Sequence, residues 1–241
     1  MMIARDTLLS PIEPAKATDQ VIHRIAQAIS SGVLKPGDQL PVESELAAQL
    51  NVAQMTLRQA LSILRDLGCI ETVRGRNGGS FVTKRPLETA GIFVGETPTL
   101  DELQEMTDFR MAIENEAAAL AAIRADRILI GQLNVRLYAC IEGSDTGVDH
   151  WLSDNAFHVG VAEASKSKKL VKAVSEAQYE MTNFYARLSR PFELILPHKD
   201  EHTEIVKAIE SGDPDSAWDA SNKHLYSTHL FLESIINKLS A

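Results

Sequence analysis

The sequence of 241 residues has only two cysteines, Cys69 and Cys140, and neither lies in a spacing typical of a metal site or a redox centre. We therefore expect reduced thiols rather than a disulfide framework. No apolar run approaches the length that a membrane-spanning helix needs. The first residues also lack the apolar stretch and cleavage site of a signal peptide. These absences predict a cytoplasmic protein with no membrane partner.

Positive charge is also scarce, since the net charge is −9. Taken for the whole chain, this value argues against a DNA-binding protein, but the charge is unevenly distributed. Up to Pro86 the sequence carries ten Lys and Arg against eight Asp and Glu, and the remainder carries fourteen against twenty-five. Such asymmetry weakly indicates a nucleic-acid partner for the less acidic N-terminal part.

The N-terminal part contains a pattern of three helices followed by a hairpin. Apolar spacing and turn residues predict helices over 18–31, 42–50 and 54–67 and strands over 69–73 and 80–83. We expect a loose arm over 1–16, a winged helix-turn-helix domain over 17–85 and a linker over 86–98. The predicted fold class of this part is helical with a small β-hairpin.

The third predicted helix has the composition of a recognition helix. Leu57, Ala60, Leu61 and Leu64 repeat on one face, which leaves the polar N-terminal half free to enter a major groove. The predicted DNA contacts from the helices are Ser44, Gln54, Met55, Thr56 and Arg58.

The glycine-rich segment 74–79, RGRNGG, allows three interpretations. It suits a flexible hairpin loop, a nucleotide-binding loop or the wing of a winged helix. A nucleotide-binding loop is disfavoured because no helix follows the segment. As a wing, its predicted DNA contacts are Arg74, Gly75 and Arg76.

The N-terminal part resembles the DNA-binding domain of the GntR family of bacterial transcription regulators. The resemblance rests on Leu34-x-Pro36-Gly37, Leu40-Pro41-x-Glu43, Glu45-Leu46, Leu57-Arg58-x-Ala60-Leu61, Leu67-Gly68 and Gly75-Arg76-x-Gly78-Gly79-x-Phe81-Val82. Ser44 and Gln54 stand where such regulators often carry arginine. Since Gln suits the edge of adenine and Arg that of guanine, the resemblance implies a divergent operator.

From residue 99 onward the sequence predicts an all-α bundle. Six helices are expected over 99–123, 127–142, 148–164, 168–188, 199–211 and 214–239. Asp154 and His158 share one helix face, and His202 and His224 lie on the last two predicted helices among core-facing neighbours. Spacing alone leaves two interpretations, a divalent metal site or ordinary surface pairs and buried polar groups.

The C-terminal part resembles the FCD ligand-binding domain of FadR-type GntR regulators. The resemblance rests on Asp108-x-Arg110 with Glu114, Asp154-x-x-Phe157-His158, Glu201-His202, Ala208-Ile209, Gly212-Asp213, Ala217 and His224-Leu225. Many members bind a metal through one Asp and three His. The resemblance therefore implies that Asp154, His158, His202 and His224 hold zinc, nickel or manganese.

The same resemblance places Arg110 at a ligand cavity, where its guanidinium would bind the carboxylate of a small organic acid. The alternative is a helix-surface arginine paired with Asp108 or Glu114. Helical spacing adds Tyr179, Asn183 and Arg187 as further candidates for effector binding.

These observations predict a homodimeric, metal-dependent transcription regulator, acting as a repressor on a palindromic double-stranded DNA operator and controlled by a small carboxylate. One alternative is a DNA-binding protein whose metal is purely structural. The other is a metal-dependent hydrolase, which would leave the winged-helix pattern unexplained.

Overall fold

The computed structural model describes residues 17–75, 78–84, 96–142, 147–188 and 199–239. Within these ranges the chain forms nine helices and one two-stranded sheet. The predicted fold class, a winged helix-turn-helix followed by an all-α bundle, is confirmed. The predicted arm and most of the predicted linker lie outside the described residues.

Five elements form the N-terminal unit: α1 (Ala17–Ser30), α2 (Glu43–Gln49), α3 (Gln54–Asp66), β1 (Ile70–Val73) and β2 (Gly79–Val82). All five lie within about one residue of the predicted positions. Their bounds agree because the apolar periodicity that defines each element is also the face it buries.

The core of this unit lies under α3. Leu57, Ala60 and Leu64 are fully buried and pack with residues of α1, including Ile25 and Ile29. Three buried side chains of this size fix the rotation of α3 about its own axis, because turning the helix would expose them to water. The opposite face of α3 therefore points to solvent.

The hairpin is antiparallel, with Ile70 opposite Val82. It is bonded both to the segment before α2 and to α3. The backbone amide of Leu40 donates to the carbonyl of Ser80 at 2.8 Å, and Nε of Arg65 on α3 donates to Oγ1 of Thr72 at 2.9 Å. The hairpin is therefore held in a fixed direction relative to α3.

Six helices form the C-terminal unit: α4 (Leu100–Arg124), α5 (Arg127–Glu142), α6 (Gly147–Ala164), α7 (Lys168–Ala186), α8 (Lys199–Ser211) and α9 (Pro214–Leu239). Thr99 caps α4 by accepting from the Glu102 amide, and Glu102 accepts in turn from the Thr99 amide. The long helices α4 and α9 pack along each other, and α6 packs against α4, α5 and α7. None of the described helices combines the length and apolarity needed to cross a membrane.

The two units contact each other through α1, which packs against α6 and α7. The ring of His23 on α1 meets that of Tyr179 on α7 edge to face, with centroids 4.5 Å apart. The N-terminal unit is thus in contact with α6, the helix that carries Asp154 and His158.

Candidate DNA-binding surface and metal centre

The polar half of α3 is exposed, as expected of a recognition helix. Gln54 and Arg58 lie at the surface, and Met55 is 72% exposed. Thr56 is half-buried, and Ser44 is exposed on the neighbouring helix α2. The predicted contact residues of the two helices are therefore accessible to a partner, and their contacts with DNA remain predictions.

Arg58 has a partner that the sequence analysis did not single out as a site residue. Its Nε donates to Oε2 of Glu43 on α2 at 2.7 Å, and both side chains are about half exposed. An exposed ion pair contributes little to stability. Its consequence is geometric, because Glu43 holds the guanidinium beside the N-terminal half of α3.

The wing tip contains two positions that require glycine. Gly75 has φ of +122°, which side chains rarely adopt. A Cβ at Gly78 would overlap the carbonyl oxygen of Val73. Arg74 and Gly75 are exposed, whereas Arg76 lies outside the described residues. The tip is thus a tight turn that presents backbone and Arg74 to solvent.

Four predicted metal ligands converge in the helical bundle. Asp154 and His158 come from α6, His202 from α8 and His224 from α9, and one ligand atom from each lies within 4.8 Å of all the others. The Nε2 atom of His224 lies 3.0 Å from Nε2 of His202 and 3.4 Å from Nε2 of His158. Oδ1 of Asp154 lies 3.3 Å from Nε2 of His202. All four side chains are buried.

Carboxylates behind two of the imidazoles determine which nitrogen faces the cluster. Nδ1 of His158 lies 2.7 Å from Oε2 of Glu114, and Nδ1 of His224 lies 3.3 Å from Oε2 of Glu201. An ionised carboxylate only accepts hydrogen bonds, so each Nδ1 carries the proton. The Nε2 lone pairs of both rings are therefore directed into the cluster, as in a histidine prepared for a metal.

The third imidazole also turns its Nε2 toward the cluster, but its Nδ1 faces a thiol, which can donate or accept a hydrogen bond. Nδ1 of His202 lies 3.4 Å from Sγ of Cys140, and its Nε2 points at the other ligands. Oδ1 of Asp154 is buried and accepts no hydrogen bond from the described residues. Lone pairs on facing nitrogens and a carboxylate oxygen that accepts no hydrogen bond repel one another in a buried space unless a proton or a metal ion lies between them. This donor set fits a first-row divalent ion.

Burial and neighbouring charges set the protonation of these groups. Burial raises the pKa of the Glu114 carboxyl, but the charge of Arg110 and the hydrogen bond from His158 outweigh this effect and hold the pKa well below its usual range. Burial lowers the pKa of His224 below its ordinary value, although the hydrogen bond to Glu201 opposes the change. An ionised Glu114 and a neutral His224 are the forms that a metal site requires.

Arg110 is buried beside this cluster and is paired with Glu114, not with Asp108. Its Nε lies 2.6 Å from Oε1 of Glu114, and its second contact, from Nη2 to Oε2, is 3.5 Å long. Arg110, Glu114 and His158 therefore form a continuous buried chain of hydrogen bonds. A cavity of about 10 Å³ borders Glu114 and His158, which is room for about one water molecule.

The other three effector candidates have partners elsewhere. Tyr179 packs on His23 of the N-terminal unit. Asn183 lies one helical turn from Tyr179 and hydrogen bonds to it. Arg187 pairs with Glu102 of α4 at 3.0 Å. Their roles in effector binding stay predictions.

Three residues behind the imidazoles were missed as site residues. They are Glu114, Glu201 and Cys140. Glu114 stands four residues after Arg110, and Glu201 directly precedes His202, so the acidic pair was visible in the sequence. Nothing in the sequence connects Cys140 with His202, because that contact depends on how α5 packs against α8.

Comparison with known families supports both units. The model for "Bacterial regulatory proteins, gntR family" matches residues 17–82, and the FCD domain model matches residues 105–227. RmpR of Mycobacterium gastri, provisionally described as an HTH-type transcriptional regulator, is 31% identical over 216 residues, covering 86% of this chain and 77% of the relative. The Glc operon transcriptional activator of Escherichia coli K12 is 28% identical over 214 residues, covering 85% and 84%.

A further relative and a solved structure agree with this assignment. The uncharacterized HTH-type transcriptional regulator YcbG of Bacillus subtilis strain 168 is 30% identical over 227 residues, covering 91% of this chain and 89% of the relative. The solved structure of E. coli McbR/YncC covers 94% of this chain and 100% of that one, with a TM-score of 0.52 at 18% identity. That likeness concerns the fold.

Proposed function

This chain belongs to the gntR family of bacterial regulatory proteins and carries an FCD domain, and from this premise we propose that it is a metal-dependent, ligand-responsive repressor. DNA binding and transcription regulation follow from the family. The homodimer, the metal, the effector and the direction of control are our proposals.

The dimer and the palindromic operator follow from the way a helix-turn-helix reads DNA. One α3 with its wing covers about half a site, and two copies related by a twofold axis read two half-sites in fixed register. A small change in the distance between the two α3 helices therefore lowers operator affinity strongly.

The observation that carries the metal proposal is the convergence of Asp154 with the Nε2 atoms of three imidazoles whose Nδ1 atoms face away. Zinc, nickel and manganese all accept this combination of nitrogen and oxygen donors. An ion that takes more than these four ligands would offer an open coordination position to a carboxylate. Glu114 and Glu201 hold two of the imidazoles in place.

The effector in this proposal is a small organic acid that ligates the metal and contacts Arg110. The closed cavity beside Glu114 and His158 has no room for such an acid, so its binding requires the Arg110–Glu114 pair to open. That rearrangement supplies the difference between two states on which ligand control depends. The same closed cavity favours our second candidate, a regulator whose metal is purely structural.

A hydrolase is not supported by this arrangement. A metal-bound water needs a free base beside it, and the carboxylates nearest the cluster, Glu114 and Glu201, already accept hydrogen bonds from His158 and His224.

A thermal-shift screen of small organic acids, run with metal-stripped and with Zn²⁺-loaded protein, tests the proposal. We expect stabilisation by an acid only when Zn²⁺ is present, and release of a fluorescent operator duplex by the same acid. Stabilisation by Zn²⁺ with no response to any acid would support the structural-metal candidate.

A further inference from the structure

One buried side chain links the metal-bearing helix to the winged helix. Nδ2 of Asn155 on α6 donates to the carbonyl oxygen of Ser30 in α1 at 2.7 Å and contacts Oγ1 of Thr182 on α7 at 3.0 Å. Asn155 is 1% exposed and Ser30 is fully buried. This hydrogen bond joins the two units and is shielded from solvent.

The hydrogen bond reaches α1 at a carbonyl oxygen that has no donor within the helix. Ser30 is the last residue of α1, and the final carbonyls of a helix lack partners within it. The carbonyls of 27–29 accept from backbone amides in the following turn, whereas that of Ser30 accepts from Asn155. Asn155 therefore caps the C-terminal end of α1 from the other unit.

Two routes connect Asn155 to the candidate metal centre. The first is covalent, because Asn155 directly follows the ligand Asp154 on α6, and a rotation or shift of that helix moves both side chains together. The second is a buried polar chain. Thr182 Oγ1 donates to the Gln178 carbonyl at 2.8 Å, and Gln178 Nε2 donates to Glu114 Oε1 at 3.2 Å.

We propose that Asn155 transmits the state of the metal cluster to the DNA-binding unit by holding or releasing the end of α1. The inference rests on the proposed function, because it assumes a metal at Asp154. Both routes end at Asn155, and its bond to Ser30 sets the position of α1 against α6. Since α1 packs directly on α3, a change at Ser30 alters the placement of the recognition helix.

The junction beside this bond has space for movement. The backbone of Gly32 approaches Ala156 so closely that a Cβ would lie 2.7 Å from the Ala156 Cβ. Next to this contact is a cavity of about 370 Å³, bordered by the 32–36 turn on one side and by α5 and α6 on the other. Because this cavity lies beside the contact, α1 has room to shift when the hydrogen bond of Asn155 changes.

The test compares operator affinity with and without metal. An operator duplex is selected from a random pool, and its Kd is measured for metal-stripped and Zn²⁺-loaded full-length protein. We expect the wild-type Kd to change by about fivefold or more on loading, a typical coupling between two sites. In Asn155→Ala the change should fall below about twofold, with one Zn²⁺ per chain still bound.

A matched control is Asn134→Ala, which removes an exposed asparagine that bonds Glu210 within the helical unit and should keep the wild-type ratio. An unchanged ratio in Asn155→Ala, or a wild-type Kd that does not respond to bound Zn²⁺, overturns the inference. Failure of wild type to bind Zn²⁺ is seen separately by metal analysis and overturns the proposed function itself.

Hydrogen exchange on wild type keeps the inference testable if Asn155→Ala does not fold. Zn²⁺ loading should slow exchange in the peptide covering 28–35, where the amides after Ser30 lie. Unchanged exchange there, with slowed exchange around Asp154, would contradict transmission through Ser30.

Discussion

Oε2 of Glu114 lies 2.7 Å from Nδ1 of His158, and its other oxygen lies 2.6 Å from Nε of Arg110. One buried carboxylate thus orients a metal ligand and neutralises the arginine proposed to bind an effector. The proposed metal centre and the proposed effector site are therefore not independent, since a change at Arg110 reaches His158 through a single side chain.

Replacing Glu114 by Gln should weaken metal binding about 10- to 100-fold, which is the usual effect of removing the partner behind a metal-bound histidine. The amide does not stabilise the Nδ1 proton as a carboxylate does. Competition with a chromogenic chelator measures the affinity. Glu116→Gln, at an exposed position of the same helix, is the control and should bind Zn²⁺ like wild type.

Zn²⁺ should raise the Tm of wild type and leave that of His202→Ala almost unchanged. Ligand present at 100 times its Kd stabilises the folded state by about 2.7 kcal/mol, and removing one of four ligands abolishes most of this gain. Differential scanning fluorimetry provides the measurement. His229→Ala serves as the histidine control because that ring contacts Thr107 outside the cluster; an equal loss there would argue against a specific site.

Arg58→Ala should abolish specific operator binding without loss of folding. The side chain is half exposed, so its removal costs little stability, while it removes a base or phosphate contact worth about 1–3 kcal/mol. Footprinting and the salt dependence of Kd measure the effect. Arg127→Ala, exposed on the helical unit, should bind normally. A retained footprint for the Arg58 variant would contradict the proposed docking of α3.

Arg110→Lys should retain the fold and lose the response to the acid effector. Lysine keeps the charge that Glu114 needs but lacks the planar fork that binds two oxygens at once. Arg110→Ala is a poorer test, because it would leave the buried Glu114 carboxylate without its positively charged partner. Such a loss costs about 3–5 kcal/mol of folding stability. Operator release at increasing acid concentration gives the readout, and Arg127→Lys, at an exposed position of the helical unit, is the control. If release by Arg110→Lys matches wild type, the arginine does not hold the effector.

The sequence was sufficient for the local structure and for the four side chains that converge in the buried cluster. Helix bounds follow from apolar periodicity, as the buried face of α3 illustrates. Asp154 and His158 could be paired from their spacing, and His202 and His224 stood out among core-facing neighbours. The family resemblance then favoured a metal site over ordinary buried polar groups. The partners of the imidazoles were harder to predict because they depend on the packing of separate helices, as in the contact of Cys140 with His202.

The junction between the two units could not be predicted from periodicity at all. Tyr179 was expected near the effector because it lies on α7, yet it packs against His23 of α1. Nothing in the sequence distinguishes Asn155, which lies between the predicted metal ligand Asp154 and an apolar stretch. The contacts between the two units depend on how the folded units dock. The apolar pattern of a single helix does not predict them.

The central claim is that Asp154, His158, His202 and His224 form one metal site in the helical unit. Anomalous scattering from crystals of Zn²⁺-loaded protein, collected at the zinc edge, tests it most directly. The account predicts one strong peak per chain, about 2.0–2.2 Å from the three Nε2 atoms and a carboxylate oxygen of Asp154. Zinc bound elsewhere, or loaded crystals with no peak among these four side chains, would contradict it.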